Sequence, residues 1–458
     1  MDLNPDIFRQ YDIRGRVGED LTDESVSSLG RAIGSYLCQN GVSKISLASD
    51  NRLSSDAFRA ILSEELSKSG MNVIDFGVIP TPVFYHTLFE FGTDGGVMIT
   101  GSHNPPDYNG FKIACGKSTI YGDEIQNIKQ IADKGRYTVG SGSVAEADAR
   151  GSYIEEVSKN IRIQGNPRFA VDCGNGTAGI IVPDLFEAMG LEPEILFCEP
   201  DGHYPNHHPD PTVPENLEQL VNTVVKNSYQ AGIAFDGDAD RIGVVDEKGS
   251  IIWGDRLLII LARDILVRNP GAKVIFEVKC SQALVDAVEA AGGVPIMWKT
   301  GHSLIKGKMK SEGALLGGEM SGHIFMSDRY YGYDDAIYAG LRLLEILSQH
   351  DGTLSSLLAD IPTYHTTPEI RVACPDGLKF TVVENLKTYL SPDHSIIDID
   401  GVRVVYDDGW GLVRASNTQP VLVLRFEAVS EGRLKQIEQE ILEALKTVGG
   451  GSIDLPEA

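Results

Sequence analysis

Short apolar runs followed by stretches of helical period recur along most of the chain. Lys44-Ile45-Ser46-Leu47-Ala48 reads as a strand, after which Phe58, Ile61, Leu62 and Leu66 fall on one helical face. Ser54 or Ser55 stands where a hydroxyl would cap that helix by accepting a free main-chain N–H. Residues 73–76 follow Gly70 as another strand. The same order returns twice. Arg168-Phe169-Ala170-Val171-Asp172 precedes a glycine-rich turn and a helix over 182–189, and Lys273-Val274-Ile275-Phe276-Glu277-Val278 precedes Ser281 and a helix bearing Leu284, Val285 and Val288. These units predict three related α/β domains. The tail has another texture: a turn at Thr418-Gln419-Pro420, a strand over 421–426 and a helix with Leu434, Ile437, Ile441, Leu442 and Leu445 on one stripe predict a smaller α+β domain. Polar, glycine- or proline-containing stretches near 140–149, 247–253 and 361–368 separate the units, giving domains at 1–148, 149–250, 251–362 and 363–458.

Composition narrows what these domains can do. Forty Lys plus Arg against 65 Asp plus Glu leave a formal charge of -25. That field repels nucleic acid and anionic membranes, so a phosphate ligand needs a local basic pocket. Six cysteines form no C-x-x-C pair, which argues against a disulfide framework or a zinc site. The polar start is unlike a signal peptide, and no run approaches the roughly 20 apolar residues of a spanning helix. A soluble, cytoplasmic protein is the expectation.

Two motifs carry candidate chemistry. Ser102 lies in Thr100-Gly101-Ser102-His103-Asn104-Pro105, directly after the apolar run Gly96-Val97-Met98-Ile99. Pro105 and Pro106 stiffen the exit of the turn. The surrounding residues lack the Gly-x-Ser-x-Gly elbow of one hydrolase class, and a serine bonding its own loop is the simplest alternative. Far downstream, Asp236-Gly237-Asp238-Ala239-Asp240-Arg241 joins two apolar runs. Three carboxylates this close repel unless a cation or protons compensate them, which points to a hard metal ion. A calcium loop also matches the three acids and Glu247, but Arg241 stands where its glycine belongs and strands replace its flanking helices, so magnesium is favoured. An acidic turn without metal remains the alternative. Gly174-x-Gly176-x-x-Gly179 alone is a weak dinucleotide signal, and a structural turn is the favoured reading.

Basic and polar groups for an anionic ligand occur elsewhere. Tyr11-Asp12-Ile13-Arg14-Gly15 and Asn109-Gly110-Phe111-Lys112 each supply a cation, and Lys112 is close in sequence to Ser102. Arg414-Ala415-Ser416-Asn417-Thr418 combines a guanidinium, hydroxyls and an amide before a turn, a set suited to phosphate. Gly317-Gly318-Glu319-Met320-Ser321-Gly322-His323 offers a carboxylate that can accept hydrogen bonds from neighbouring sugar hydroxyls. Lys279 and His302 are further candidate contacts.

With these motifs quoted, the chain resembles the α-D-phosphohexomutases, in particular the bacterial phosphomannomutase/phosphoglucomutase group, over almost its whole length. The resemblance implies three related α/β domains and a smaller fourth around a central cleft. It implies a phosphorylated Ser102, magnesium held by Ser102, Asp236, Asp238 and Asp240, and Arg14, His103 and Lys112 around the transfer site, with His103 or Lys112 moving a proton. Substrate contacts would come from Tyr11, Arg241, Lys279, His302, Glu319, Ser321, His323, Arg414, Ser416, Asn417 and Thr418. The implied reaction exchanges phosphate between C1 and C6 of mannose or glucose phosphates through a hexose 1,6-bisphosphate, which also serves as activator. Hexose phosphates are then the partners, without nucleic acid, membrane or an obligatory protein partner, and a monomer is expected. Met320 and Asn417 favour this group over phosphoglucosamine mutases, the enzymatic alternative. A non-catalytic phosphosugar-binding regulator is the alternative of another class. Ala239 stands where relatives often have glycine, and Gln419 where many have glutamate.

Overall fold

The computed structural model describes residues 3–417 and 419–449. One strand arrangement occurs three times. In the first sheet Lys44–Ser49 lies parallel between Asn72–Val78 and Gly95–Ile99, and the latter turns back as the antiparallel Tyr108–Cys115. In the second, Phe169–Asp172 lies between Glu194–Leu196 and Ala231–Phe235, which turns back as Ile242–Asp246. In the third, Lys273–Glu277 lies between Val294–Trp298 and Leu316–Gly318, which turns back as Ile324–Met326. The first sheet is extended at its edges by Ile13–Arg16 and Val144–Glu146. Ile251–Ile252 still belongs to the second sheet, paired with Val244 and Val245. The fourth sheet is antiparallel throughout, with Gly409–Ala415 between Val402–Tyr406 and Val421–Ala428 and helices Asp376–Leu390 and Glu431–Gly449 packed on it. Three mixed α/β domains and an α+β domain are therefore present, as the apolar periodicity predicts.

Burial explains the patterning. Every residue of Gly95–Ile99 and of Ala231–Phe235 is buried, which is why these strands read as continuous apolar runs instead of alternating. Ser281 caps the helix Gln282–Ala290 by accepting from the Ala283 N–H at 3.1 Å. Neither Ser54 nor Ser55 caps Ser55–Lys68. The Ser55 hydroxyl donates instead to the Asp50 carboxylate at 2.5 Å, and Ser54 accepts from Asn109 at 2.8 Å. Asn109 Nδ2 also donates to Ser55 Oγ at 3.0 Å, so both hydroxyls accept from the Asn109 amide instead of from a main-chain N–H.

One apolar core crosses the division into domains, while the first domain also has a core of its own around Leu29, Ile45 and Ile99. A single cluster runs from Val83 and Phe84 through Tyr153 and Phe169 to Leu258, Ile337 and Leu341. Helix Ala336–Ser348 follows the third sheet in sequence and packs on Ile324–Met326 of that sheet and on Ala231–Phe235 and Ile242–Asp246 of the second, where a Cβ added to Gly340 would meet Ile233 at 3.3 Å. The fourth domain has its own core around Leu424, Phe426, Ile437 and Ile441. It meets the third domain through a small cluster of Val278, Trp410 and Leu412 and through polar contacts. Arg403 donates to the carbonyls of Val278 and Cys280, and Arg425 to that of Lys279. Among the described residues no helix is long and apolar enough to cross a membrane. All six cysteines are free.

The glycine-rich turn after Asp172 is structural. A Cβ at Gly176 would lie 2.7 Å from the Gly237 carbonyl oxygen, and one at Gly179 would lie 1.8 Å from that of Cys198. Gly179→Ala is therefore expected to destabilise the protein by more than about 3 kcal/mol, because main chain must move to admit the methyl group. Gly190→Ala, with no heavy atom within 4 Å but a φ of +67°, should cost only about 1 kcal/mol. Thermal melting of the two variants checks the contrast, and equal midpoints would count against the close packing of this turn.

Candidate active site

Each sheet presents one motif in a comparable place, the turn that joins two consecutive antiparallel strands. Residues 100–107 join Gly95–Ile99 to Tyr108–Cys115, and residues 236–241 join Ala231–Phe235 to Ile242–Asp246. Residues 319–323 join Leu316–Gly318 to Ile324–Met326, and the turn before Val421–Ala428 begins at Ser416. The first two turns are in direct contact. Ser102 is 3 % exposed and adopts a left-handed backbone with φ +48°. Its hydroxyl donates to Asp236 Oδ2 at 2.7 Å and lies 3.2 Å from His103 Nδ1. A Cβ on Gly237 would come within 2.7 Å of the Ser102 carbonyl, so the glycine permits this approach.

Asp236, Asp238 and Asp240 are fully buried, with carboxylate oxygens within 4.8 Å of one another. Asp236 Oδ1 accepts from the N–H groups of Asp240 and Arg241 at 3.1 Å each, which closes the turn. Asp238 Oδ2 accepts from Thr81 Oγ1 at 2.6 Å and Lys112 Nζ at 2.7 Å, and Lys112 also pairs with Asp240 Oδ2. Burial, with the Asp240 and Asp238 carboxylates beside it, pushes the Asp236 carboxyl well above the ordinary range. Burial raises Asp238 too, but the Lys112 ammonium outweighs it and holds that carboxyl low. Burial disfavours the Lys112 charge, yet Asp238 and Asp240 overcome this and keep it an ammonium. Asp238 Oδ1 and Asp240 Oδ1 remain buried with no hydrogen-bond partner. A turn with raised Asp236 and two orphaned oxygens beside a serine hydroxyl has the donor set of a hard divalent cation.

The rim of this centre is basic. Arg14 donates to Asn104 Oδ1 at 2.9 Å and to Asp12 at 2.5 Å. Arg241 Nε donates to His323 Nε2 at 3.0 Å, which directs the other ring nitrogen toward Asp334 Oδ2, 3.2 Å away, and Asp240 Oδ1, 3.6 Å away. Asp240, His323 and Asp334 thus form a second cluster of potential ligands. His302 stacks on His323 with ring centroids 5.5 Å apart. Burial lowers the His103 and His302 imidazoles, reinforced at His103 by Arg241 and Arg14 and at His302 by Lys306, so both are neutral.

The remaining residues gather around a second centre between the third and fourth domains. Glu319 Oε1 accepts from the Gly301 N–H at 2.7 Å, while Oε2 has no protein partner among the described residues. Burial and the nearby Glu277 raise the Glu319 carboxyl. Ser321 lies half-buried at the tip of that turn. Arg414 Nε donates to Asp400 Oδ2 at 3.0 Å, and the Thr300 N–H reaches the same oxygen at 3.0 Å, so one carboxylate ties the two domains together. Tyr11 extends from the first domain to donate to the Thr300 carbonyl at 2.5 Å and accept from Asn417 Nδ2 at 2.7 Å. Burial raises its phenol, keeping the proton that this pair of bonds requires. Lys279 donates to Glu369 at 3.0 Å and lies 3.5 Å from Glu277. Ser416 Oγ accepts from the Gln419 N–H at 3.1 Å. Thr418 lies outside the described residues.

Several supporting residues are not evident from sequence motifs. Thr81 holds Asp238, Asp400 orients Arg414, and Glu277 accepts from the Met320 N–H at 2.9 Å and from Thr300 Oγ1 at 2.6 Å. Asp334 receives Lys306 at 2.7 Å, and His208 Nε2 is 2.5 Å from the His103 carbonyl. Each is a lone polar residue far in sequence from its partner. The one available signal is the acid that ends an apolar strand, as at Asp50 and Glu277.

Known proteins share this arrangement. Four models of phosphoglucomutase/phosphomannomutase match in order: α/β/α domains I, II and III at residues 5–138, 151–249 and 253–364, and the C-terminal domain at 369–444. A phosphomannomutase/phosphoglucomutase of Pseudomonas aeruginosa is 47% identical over 447 residues, covering 97% of this chain and 96% of its own. A phosphoglucomutase of Neisseria gonorrhoeae is 44% identical over 450 residues, covering 97% and 98%. The crystal structure of a phosphoglucomutase/phosphomannomutase family protein from Burkholderia thailandensis superposes with a TM-score of 0.93 at 42% identity, covering 99% of this chain and all of that one. With all four domains matched and nearly half the residues shared, the chain belongs to the phosphoglucomutase/phosphomannomutase family of α-D-phosphohexomutases.

Proposed function

We propose that the chain reversibly interconverts hexose 1-phosphate and hexose 6-phosphate, acting on both glucose and mannose, with Ser102 as phosphoryl carrier and a hexose 1,6-bisphosphate as intermediate. The observation that carries this reading is the 2.7 Å hydrogen bond from Ser102 Oγ to Asp236. It joins a nucleophile to a cluster of cation ligands, which phosphosugar binding alone does not need. Asp236, Asp238 and Asp240 would hold Mg2+ together with an oxygen on Ser102. The ion would neutralise charge on the phosphoryl group during transfer.

The protein groups have distinct tasks in such a cycle. The phosphoryl group leaves Ser102 Oγ as a sugar hydroxyl oxygen bonds to phosphorus, and the hydroxyl proton needs an acceptor. His103 is neutral and lies 3.2 Å from Ser102 Oγ, while Lys112 stays charged and can stabilise the equatorial oxygens. Glu319 Oε2 can accept from adjacent sugar hydroxyls. Arg414, Ser416 and Asn417 can hold the phosphate that is not being transferred, with Thr418 completing the motif. After the first transfer the bisphosphate turns end for end, and Ser102 receives the other phosphoryl group. Neither Glu319 nor the phosphate-binding group need touch C2, where glucose and mannose differ, which is why both sugars are proposed as substrates.

Three outcomes follow. Ser102→Ala should lower kcat at least about 10^3-fold while leaving the Kd for glucose 1-phosphate within a few-fold, and peptide mass analysis of active wild-type enzyme should find phosphate on Ser102. Removal of divalent ions with EDTA should abolish turnover of mannose 1-phosphate and glucose 1-phosphate in coupled assays. Mg2+ should restore it, and full activity in EDTA would exclude the proposed metal role. Glu319→Gln should reduce kcat/KM about 10- to 100-fold through loss of a charged acceptor, measurable as steady-state kinetics on both sugars.

A further inference from the structure

The loop carrying Ser102 is gripped from behind by an arginine outside every motif of the transfer site. Arg52 follows the strand Lys44–Ser49, and its side chain is completely buried. Nη2 donates to the carbonyls of Ser102 at 2.7 Å and Asn104 at 2.6 Å, and Nη1 to those of Pro105 at 2.6 Å and Tyr108 at 2.9 Å. Nε faces Asp50 Oδ2 at 3.2 Å, and that same oxygen accepts from the Gly101 N–H at 3.0 Å. Tyr204 of the second domain lies 5.8 Å from the guanidinium. One planar group therefore fixes three carbonyls of the turn and the first of the strand after it, and its counter-ion fixes the residue before the nucleophile.

We infer that Arg52 is a positioning residue for phosphoryl transfer: it holds Ser102 in its left-handed conformation, with Oγ directed at Asp236, and so sets the attack geometry. The inference rests on Ser102 being the phosphoryl carrier. A serine with φ +48° sits in a sparsely populated region and stays there only if its surroundings hold it. The carbonyl of Ser102 and three that follow it are held by one guanidinium, while Asp50 holds the N–H before it, an arrangement that a lysine cannot imitate. An ammonium has its donors on one atom and lacks the planar fork that reaches all four acceptors. Misplacement of a nucleophile by about 1 Å can cost about 100-fold in rate. Arg52 is thus expected to act on kcat, since the sugar and distal phosphate contacts come from other domains.

The test uses Arg52→Lys in the full-length enzyme with Mg2+. The expected result is a kcat 10- to 100-fold below wild type, with KM for glucose 1-phosphate changed less than about threefold and slower phosphorylation of Ser102 by glucose 1,6-bisphosphate in single-turnover mass analysis. Arg342→Lys provides the control, because Arg342 is equally buried and paired with Asp264 and Asp328 away from the transfer site. It should lower Tm and leave kcat near wild type. Gly101→Ala supplies an independent route, since its Cβ would meet Arg52 Nε at 2.4 Å and displace the guanidinium without removing it. In a double-mutant cycle the two losses in kcat should be strongly sub-additive. Wild-type kcat in Arg52→Lys, a loss confined to KM, an equal kcat loss in Arg342→Lys, or additive losses would each overturn the positioning role. Active wild-type enzyme with no phosphate on Ser102 would instead overturn the carrier reading, and this inference with it.

Discussion

Three carboxylates buried in one turn need positive charge from somewhere else in the protein, and much of the first three domains is arranged around that need. Lys112 reaches the turn from the first sheet and Thr81 from the start of a helix in the same domain. His323 comes from the third domain, oriented by Arg241. Lys112 compensates part of the charge, which leaves Asp238 low and Asp236 raised. The two unpartnered carboxylate oxygens mark the remainder. The Ser102 hydroxyl there is next to a candidate cation site that also holds an ammonium, an environment suited to a phosphoryl group with several negative oxygens.

The sheets solve the placement problem in a common way. A turn closing an antiparallel pair is free at its tip while both strands fix its base, so function and rigidity do not compete there. In the first and third domains an acid at the end of the central strand reaches sideways to the functional turn: Asp50 to the Gly101 N–H, and Glu277 to the Met320 N–H. In the second domain Asp172 instead binds Gly174 N–H and His207, and Thr177 supports Gly237 through its N–H and hydroxyl. A basic residue stands two positions after the acid in the first and third domains, Arg52 and Lys279. The first is sealed under its loop, and the second faces the boundary with the fourth domain.

The site was legible in the sequence where its chemistry is contiguous. Asp236, Asp238 and Asp240 declare their repulsion within five residues, and Ser102 follows an apolar strand at once. The supporting groups were not legible, because Arg52, Thr81 and Asp400 each look like an ordinary polar residue until the fold brings a distant carbonyl, carboxylate or guanidinium to them. Strands and helices are readable from periodicity, yet neither Ser54 nor Ser55 caps its helix, since both hydroxyls accept from Asn109, a residue more than fifty positions away. The equivalence of the four turns was likewise hidden: their residues differ entirely, and only strand pairing reveals their common position.

The core shared by the first three domains also bears on how the protein comes apart. Helix Ala336–Ser348 closes the second sheet although it belongs in sequence to the third, so neither unit can lose its structure without exposing apolar surface of the other. The second and third domains are thereby coupled, whereas the first joins them only in part and keeps a core of its own around Leu29, Ile45 and Ile99. The fourth, with a separate core and a largely hydrogen-bonded seam to the turn at 278–280, can melt or detach alone and leave the serine and its acids in place.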